Sequence, residues 1–114
     1  MKPEALLPLS PAVFQILIAL GDRERHGYSI MQDVAARTEG KVQLSAGTLY
    51  SSIRRMLEEG LIEELRESPD PSSRDERRRY YRVTRFGKRV AAAEAERLMA
   101  LLQQARATGL VPGV

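Results

Sequence analysis

The sequence predicts a mainly α-helical protein with a small β-hairpin, arranged as a winged helix-turn-helix unit plus a long C-terminal helix. Three observations predict this fold class: three short segments with apolar residues at helical spacing, two strand-like segments joined by a polar loop, and a long final segment without a turn signal. We divide the chain into a winged-helix unit over 1–84, with its wing at about 61–83, a C-terminal helix over 85–107 that we expect to mediate dimerisation, and a tail over 108–114.

Composition places the chain among ordinary globular proteins, with 43% hydrophobic and 29% charged residues. There is no cysteine, and the single histidine, His26, has no carboxylate pair at ligand spacing, so we expect neither a metal site nor a cofactor. No apolar run reaches the ~18 residues of a membrane span, and the N-terminus has no signal-peptide pattern. We therefore expect a cytoplasmic protein that does not contact a membrane.

Sequence signals mark the first two helices. Ser10 followed by Pro11 is a strong helix start, and the nearly all-apolar segment that ends at Gly21 predicts a central, buried helix. A polar connector over 22–26 leads to Gly27, which we expect to supply backbone freedom at the entrance to the second helix. The inner side of that helix is predicted to carry Tyr28, Ile30, Met31 and Val34.

The third helix is predicted to begin after the N-cap Ser45 and to stop at Gly60. On a wheel at ~100° per residue, one side is apolar and comprises Ala46, Leu49, Ile53, Met56 and Leu57. The other side is polar and comprises Gly47, Thr48, Ser51, Arg54 and Arg55. Small and hydroxyl residues followed by arginines suit a helix that enters the DNA major groove. Exposed helix faces are commonly polar, however, so this face alone leaves both interpretations open.

Arginines crowd the predicted wing. A strand-like segment with Leu61, Ile62 and Leu65 precedes a Ser- and Pro-rich loop over 68–73, which we expect to be mobile, and a second strand over 78–83. The loop, this strand and the residues beside them carry Arg74, Arg77, Arg78, Arg79, Arg82 and Arg85. Such a run is usually a solvated face, but next to the third helix it would bring two basic elements onto one surface, which favours nucleic-acid binding.

Three tyrosines and the histidine have structural interpretations beside functional ones. Tyr50 could pack its ring on the core and present its hydroxyl to a phosphate, or serve packing alone. One of Tyr80 and Tyr81 should face inward, and we expect this of Tyr81 together with Val83. A general base needs a nucleophile and an orienting carboxylate, so we expect His26 to be structural and the chain to have no catalytic residue.

The last helix is expected to mediate a homodimer. It is capped by Thr84 and would span ~33 Å over 85–106 at ~1.5 Å per residue, so its second half would project beyond the winged-helix unit. Burying one leucine contributes ~1.5 to 3 kcal/mol, which favours a two-fold partner over an exposed stripe or a helix folded back on its own chain. The residues expected at this interface are Leu6, Leu7, Val90, Leu98, Leu101, Leu102 and Ala105.

Several blocks of the sequence resemble the PadR family of bacterial transcriptional regulators. The blocks are His26-Gly27-Tyr28, Leu44–Tyr50, Arg54–Met56, Glu59–Ile62 and Arg79–Thr84 with Gly87. They stand in the order and spacing usual for the family, and the single helix after them resembles its short subfamily. Two departures are visible: Ala46 stands where the family more often has proline, and the chain lacks the tryptophan with which some relatives stack aromatic ligands.

The resemblance implies a dimeric winged-helix repressor that binds a pseudo-palindromic operator in double-stranded DNA, with the third helix in the major groove and the wing along the backbone. The residues assigned to DNA binding are Ser45, Thr48, Tyr50, Ser51, Arg54, Arg55, Arg74, Arg77 and Arg78. A small-molecule effector at the dimer interface would fit the family, although no residue points to one. The alternative function is a winged-helix module that binds a protein partner through the same surface, without specific DNA binding.

Overall fold

The structure, a computed structural model, describes residues 1–65 and 78–112. Its helices are a 3-10 helix over Pro3–Leu6 and the α-helices α1 (Pro11–Ala19), α2 (Gly27–Arg37), α3 (Ala46–Glu58) and α4 (Arg85–Ala107). Its strands are β1 (Arg25–His26), β2 (Ile62–Glu64) and β3 (Tyr80–Val83), which form one antiparallel sheet in the order β1-β3-β2. The predicted fold class, mainly helical with a small β-sheet, is confirmed.

The predicted N-caps are confirmed in three helices. The Ser10 hydroxyl accepts a hydrogen bond from the amide of Val13, and the Ser45 hydroxyl accepts one from the amide of Thr48. The Thr84 hydroxyl accepts from the amide of Gly87 at 2.9 Å. Each cap satisfies an amide that has no partner inside its helix, so these starts are set by local chemistry.

Helix α1 lies at the centre of the fold, as predicted, and contacts α2, α3 and α4. Ile16 and Ala19 are fully buried, although Ile18 on the other side of the helix is 40% exposed. The prediction that Tyr28 lies on the inner side of α2 is wrong, since its side chain is 60% exposed. The buried stripe of α2 instead follows Gly27, Ile30 and Val34. In the same way, the end residues Ala46 and Leu57 of α3 fall outside the buried stripe and are exposed.

A third strand, β1, lies where the sequence predicts a polar connector. Arg25 pairs with Tyr81 and His26 pairs with Tyr80 across the antiparallel ladder. Tyr81 faces the core, as expected, and is 4% exposed. Tyr80, expected to face outward, is only 9% exposed because the ring of His26 covers it edge-to-face, with ring centres 5.3 Å apart. The expectation of a two-stranded hairpin is thus corrected to a three-stranded sheet.

Helix α4 is buried in its first half and exposed in its second. Val90 is 0% exposed and belongs to the core of its own chain, so it has no surface to offer a partner, which corrects its assignment to the dimer interface. The second half carries the C-terminal stripe, which we define as Leu98, Leu101, Leu102 and Ala105. Its three leucines are 41%, 47% and 42% exposed. None of the helices in the described part of the chain is long and apolar enough to cross a membrane.

A buried carboxylate joins α4 to the segment that precedes α1. Glu94 is 1% exposed, and its Oε2 accepts a hydrogen bond of 2.6 Å from the amide of Leu9. Its Oε1 accepts a hydrogen bond from Nε of Arg97. The Arg97 hydrogen bond, helped by the Leu9 amide, lowers the pKa of Glu94 below its ordinary value despite burial. Leu6 and Leu7 pack half-buried against the same core.

Glu94→Gln is expected to lower the free energy of unfolding at pH 7 by about 1–3 kcal/mol. Both carboxylate oxygens of Glu94 accept from N–H groups, whereas glutamine has one acceptor oxygen, so its NH2 group would face the amide of Leu9 or Nε of Arg97 and one hydrogen bond would be lost. The folded pKa lies below the ordinary value of 4.5. The carboxylate therefore stabilises the fold fully above pH 4.5, and this contribution is lost as the pH falls through the folded pKa. Urea denaturation at a series of pH values from 7 downward measures the free energy of unfolding of the unmodified protein and of Glu94→Gln. The difference between these two free energies should shrink as the pH falls below 4.5. Exposed Glu96→Gln is the control; a pH-independent difference for Glu94→Gln would contradict the prediction.

Candidate nucleic-acid interface

The polar face of α3 is held outward by the burial of the opposite face. Leu49, Ile53 and Met56 are at most 3% exposed and attach the helix to the core. Gly47, Thr48, Ser51, Arg54 and Arg55 are all exposed on the other side, as the helical wheel predicts. The helix therefore presents a hydroxyl-rich and then basic face to the outside.

The leading end of α3 is small and unobstructed. The Ser45 hydroxyl caps the helix and also donates a hydrogen bond of 3.1 Å to Oγ1 of Thr48, and the Ser51 hydroxyl donates to the carbonyl of Thr48. A Cβ placed on Gly47 would meet no atom within 4 Å. Another molecule can therefore approach the backbone of this first turn closely, as a helix in a DNA groove requires.

The two arginines of α3 are not equivalent. Nε of Arg55 donates to Oε1 of Glu59, one turn later, at 2.7 Å. Arg54 makes neither an ion pair nor a side-chain hydrogen bond with any residue in the described ranges 1–65 and 78–112. The helical wheel places both arginines on the polar face and does not distinguish them. In the structure the Arg54 guanidinium is more available than that of Arg55 to donate to another molecule.

Carboxylates of β2 pair with Arg82 of β3 and with Arg79, the residue just before β3. Nε of Arg82 donates to Oε1 of Glu63 at 2.6 Å, and Nε of Arg79 lies 3.4 Å from Oε1 of Glu64. Sequence reasoning missed these pairs, although cross-strand neighbours of opposite charge are favoured once the register is known. Part of the wing's positive charge is thereby compensated within the sheet.

Arg78, the residue before these pairs, is exposed at the start of the second wing segment. The other two wing arginines assigned to DNA binding, Arg74 and Arg77, lie outside the described residues. Their assignment stays a prediction.

An open hollow joins the exposed side of α3 to the wing. It has a volume of about 390 Å³ and is lined by residues of β1, α2, α3 and the wing: His26, Gly27, Tyr28, Tyr50, Arg78, Arg79 and Tyr81. Tyr50 of α3, 51% exposed, and Arg78 of the wing thus border one concave surface. The structure therefore brings together residues from both elements that sequence reasoning assigned to DNA binding.

Gly27 forms the floor of the hollow for a reason other than the expected one. Its φ does not lie in the left-handed range, so backbone freedom is not what the position requires. A Cβ at Gly27 would instead lie 2.7 Å from the hydroxyl oxygen and 3.1 Å from Cζ of Tyr50. A side chain at this position would therefore displace the outer end of the Tyr50 ring, which crosses over the start of α2.

His26 contacts three parts of this surface. Its Nδ1 accepts a hydrogen bond of 3.2 Å from the amide of Ser29 and caps α2. Its ring meets Tyr80 edge-to-face, and its Nε2 lies 3.2 Å from Nη1 of Arg78. The capping role agrees with the expectation that His26 is structural, whereas its approach to Arg78 could not be read from the sequence.

An ion-pair network fixes β1, and with it His26. Nε of Arg25 donates to the carbonyl of Ala19 at 2.7 Å, and its Nη2 lies 3.1 Å from Oδ1 of Asp33. Asp33 also accepts a hydrogen bond of 2.7 Å from Nε of Arg37. The Asp33–Arg37 spacing of four residues is a recognisable helix signal, but the link to Arg25 depends on the tertiary fold.

Among the described residues no group of three or more histidine or carboxylate side chains could hold a metal ion.

The sequence of this chain matches one described protein family and is similar to a curated protein. Residues 16–93 match the family described as the transcriptional regulator PadR-like family. An uncharacterized protein of Lysinibacillus sphaericus is 32% identical over 73 residues, which are 64% of this chain and 64% of that protein. The chain therefore matches slightly less than two thirds of the length of this curated relative.

Three solved structures share the fold. A transcriptional regulator from Clostridium thermocellum has a TM-score of 0.72 at 23% identity, covering 83% of this chain and 86% of that chain. A PadR family transcription regulator from Clostridium difficile has a TM-score of 0.71 at 22% identity, covering 87% and 98%. A PadR family transcriptional regulator from Eggerthella lenta has a TM-score of 0.63 at 24% identity, covering 97% and 87%. At these identities the likeness concerns the fold: four helices and a small sheet in the arrangement of these winged-helix regulators.

Proposed function

Because the chain belongs to the PadR-like family, whose members are transcriptional regulators rather than enzymes, we propose that it is a homodimeric, sequence-specific DNA-binding repressor of a pseudo-palindromic operator. The observation that carries the proposal is the hollow that both Tyr50 of α3 and Arg78 of the wing line. In this proposal residues 1–84 bind DNA, residues 85–107 dimerise, and the protein acts in the cytoplasm.

We assign direct reading of bases to α3. Its first turn, with Ser45, Gly47 and Thr48, is small enough for the backbone to approach the groove, and Ser51 lies one turn further along the same face. Arg54 has no competing ion pair in the described part of the chain and can reach guanine edges or phosphates. Since Arg55 is paired with Glu59, its contribution should be smaller.

We assign the phosphate backbone to the wing and to Tyr50. Arg78 and the Tyr50 hydroxyl border the same hollow, so one strand of the duplex can touch both. Arg74 and Arg77, outside the described residues, are proposed to extend this contact along the backbone. Tyr50 then has both roles considered from the sequence, since its ring lies over Gly27 while half of the residue stays exposed.

We propose that the C-terminal stripe pairs with its copy across a two-fold axis. Three leucines at 41% to 47% exposure on one helix face are a large apolar surface to leave in water. A symmetric partner buries the same stripe twice and sets two copies of α3 about one DNA turn, ~34 Å, apart. Leu6 and Leu7 keep part of their surface beside α4 and are proposed to contribute. A ligand that bound two helix spacings differently would switch DNA affinity.

Selection from random-sequence duplexes tests the proposed function. We expect enrichment of an inverted repeat with half-sites about one turn apart. In fluorescence anisotropy with the selected duplex, log K should fall linearly with log salt between ~50 and ~200 mM. A chain that enriches nothing and binds no duplex at low salt would contradict the proposal and favour the alternative, a module that binds a protein partner.

Arg54→Ala is expected to weaken binding to the selected operator by about 1–3 kcal/mol and to relax preference at one base position of each half-site. Arg55→Ala should cost less, because Arg55 is already paired with Glu59. Arg106→Ala, an exposed arginine in the last turn of α4, is the charge-matched control. Competition with half-site variants measures the preference. Equal weakening on every sequence would place Arg54 on phosphates and contradict its assignment to bases.

A further inference from the structure

We propose that Ser51 selects bases with an exocyclic amino group, adenine or cytosine, on one strand of each half-site, because its hydroxyl offers an incoming base only an acceptor. This role rests on the proposed DNA-binding function and adds to it the chemical class of base that the residue reads. It depends on the hydrogen bonds that the hydroxyl groups make within the first two turns of α3.

The proton of the Ser51 hydroxyl is already in use. It is donated over 3.2 Å to the carbonyl oxygen of Thr48, and a carbonyl only accepts, so the direction of this hydrogen bond is fixed. The two lone pairs of the hydroxyl accept nothing from any residue in the described ranges 1–65 and 78–112, and Ser51 is exposed. Ser51 therefore presents an acceptor, and no donor, to another molecule.

The major groove offers amino groups and keto oxygens at the base edges. Adenine and cytosine carry the amino groups, whereas guanine and thymine carry the keto oxygens. An amino group donates to a lone pair of Ser51 and leaves the bond to Thr48 intact. A keto oxygen or a phosphate oxygen has no proton to give, so Ser51 would have to break its bond to Thr48 to contact either one. Ser51 thus distinguishes adenine and cytosine from guanine and thymine.

The neighbours of Ser51 on the same face of α3 offer donors instead. The hydroxyls of Ser45 and Thr48 share one hydrogen bond of 3.1 Å but have two protons, so one proton stays available to another molecule. Arg54, three residues after Ser51, has donors only. Residues at this spacing are about 5–6 Å apart, so the base that Ser51 reads should lie within about two base pairs of the position that Arg54 contacts.

Selection from random-sequence duplexes with three variants tests this role. S51A removes the acceptor at an exposed position where alanine favours the helix. S51T keeps a hydroxyl that can donate to the same carbonyl. S52A, at the adjacent half-buried serine, is the matched control.

We expect the unmodified protein to enrich adenine or cytosine over guanine and thymine at one position of each half-site. S51A should lose this preference at that position alone and bind the selected operator about fivefold more weakly. S51T and S52A should keep the preference. An operator without such a position, or S51A that keeps the preference or weakens binding to every sequence equally, would overturn the proposal.

Base analogues locate the contact on the DNA. At the position that S51A changes, purine in place of adenine, or 2-pyrimidinone in place of cytosine, removes the amino group alone. Fluorescence anisotropy should show about fivefold weaker binding of the analogue duplex by the unmodified protein. S51A should bind both duplexes within about twofold, because its partner for the amino group is already gone.

An equal loss for both proteins on the analogue duplex would overturn the contact between Ser51 and the amino group. If the unmodified protein enriches no operator, the proposed DNA-binding function itself fails. If it enriches an operator whose base preferences S51A leaves unchanged, only the role of Ser51 fails.

Discussion

Gly87→Ala is expected to lower the free energy of unfolding by about 3 kcal/mol or more, the upper range for an overpacked site. The added Cβ would lie 2.0 Å from the carbonyl oxygen and 2.9 Å from the carbonyl carbon of Leu61, and 2.9 Å from Cγ2 of Val83. That carbonyl cannot move aside easily, because it accepts hydrogen bonds from the amide and the hydroxyl of Thr84. The start of α4 would have to separate from the sheet.

The sign of this effect is the opposite of the one expected from helix propensity. Alanine in place of glycine inside a helix normally stabilises it by about 0.5–1 kcal/mol. Gly47→Ala in the first turn of α3 is the matched control, since its Cβ would meet nothing within 4 Å. Urea denaturation followed by circular dichroism measures both variants. Gly87→Ala that unfolds at the same or higher urea concentration than the unmodified protein would show that the α4–Leu61 contact has been misjudged.

Leu98→Glu combined with Leu102→Glu is expected to convert the proposed dimer to a monomer and to weaken operator binding by ~10²–10⁴-fold. The two side chains lie one turn apart on the C-terminal stripe, and four carboxylates would meet across the two-fold axis. A monomer binds each half-site separately and loses the gain of ~10²–10⁴ that linked binding of two half-sites provides. Sedimentation velocity measures the mass, and anisotropy measures the affinity.

Gln103→Glu combined with Ala107→Glu is the control for this experiment. These two residues have the same spacing as Leu98 and Leu102 and are exposed on the opposite face of α4. Both double variants add two glutamates, so the added charge is equal. The control should remain a dimer and bind with little change beyond the effect of the added charge. If the Leu98/Leu102 variant also sediments as a dimer, the partner uses another surface and the C-terminal stripe has a different role.

The local parts of this fold could be predicted from the sequence because their causes are local. The caps at Ser10, Ser45 and Thr84 need only a side chain and an amide three residues later. The outward face of α3 follows from the spacing of Leu49, Ile53 and Met56 alone.

The parts that could not be predicted depend on contacts between distant residues. Strand β1 has two residues, too few for a period, and exists because β3 pairs with it. Tyr80 is buried because that pairing brings His26 over it, against the alternation expected for a wing strand with one exposed face. Val90 follows the same helical spacing as the exposed leucines of α4. It is buried and they are exposed because the rest of the chain packs against the first half of α4 but does not reach the second half.

Some residues of the candidate DNA-binding surface can likewise be recognised only once contacts between distant parts of the chain are known. Thr48, Ser51 and Arg54 are recognisable from the α3 pattern, but the pairing of Arg82 with Glu63 needs the strand register. The approach of His26 to Arg78 joins residues 52 positions apart and has no sequence signal of its own.

The hydrogen bond from the Leu9 amide to Glu94 has a consequence for the order of events during synthesis. The two residues are 85 positions apart, so the segment ahead of α1 is made well before its carboxylate partner. The core between α1, α2 and α3 can assemble while the chain is still growing, whereas the 3-10 helix over Pro3–Leu6 has to wait for α4. A fragment that stops before residue 94 would therefore leave residues 1–9 undocked and open to proteases, whereas a released chain that contains the whole of α4 should protect them.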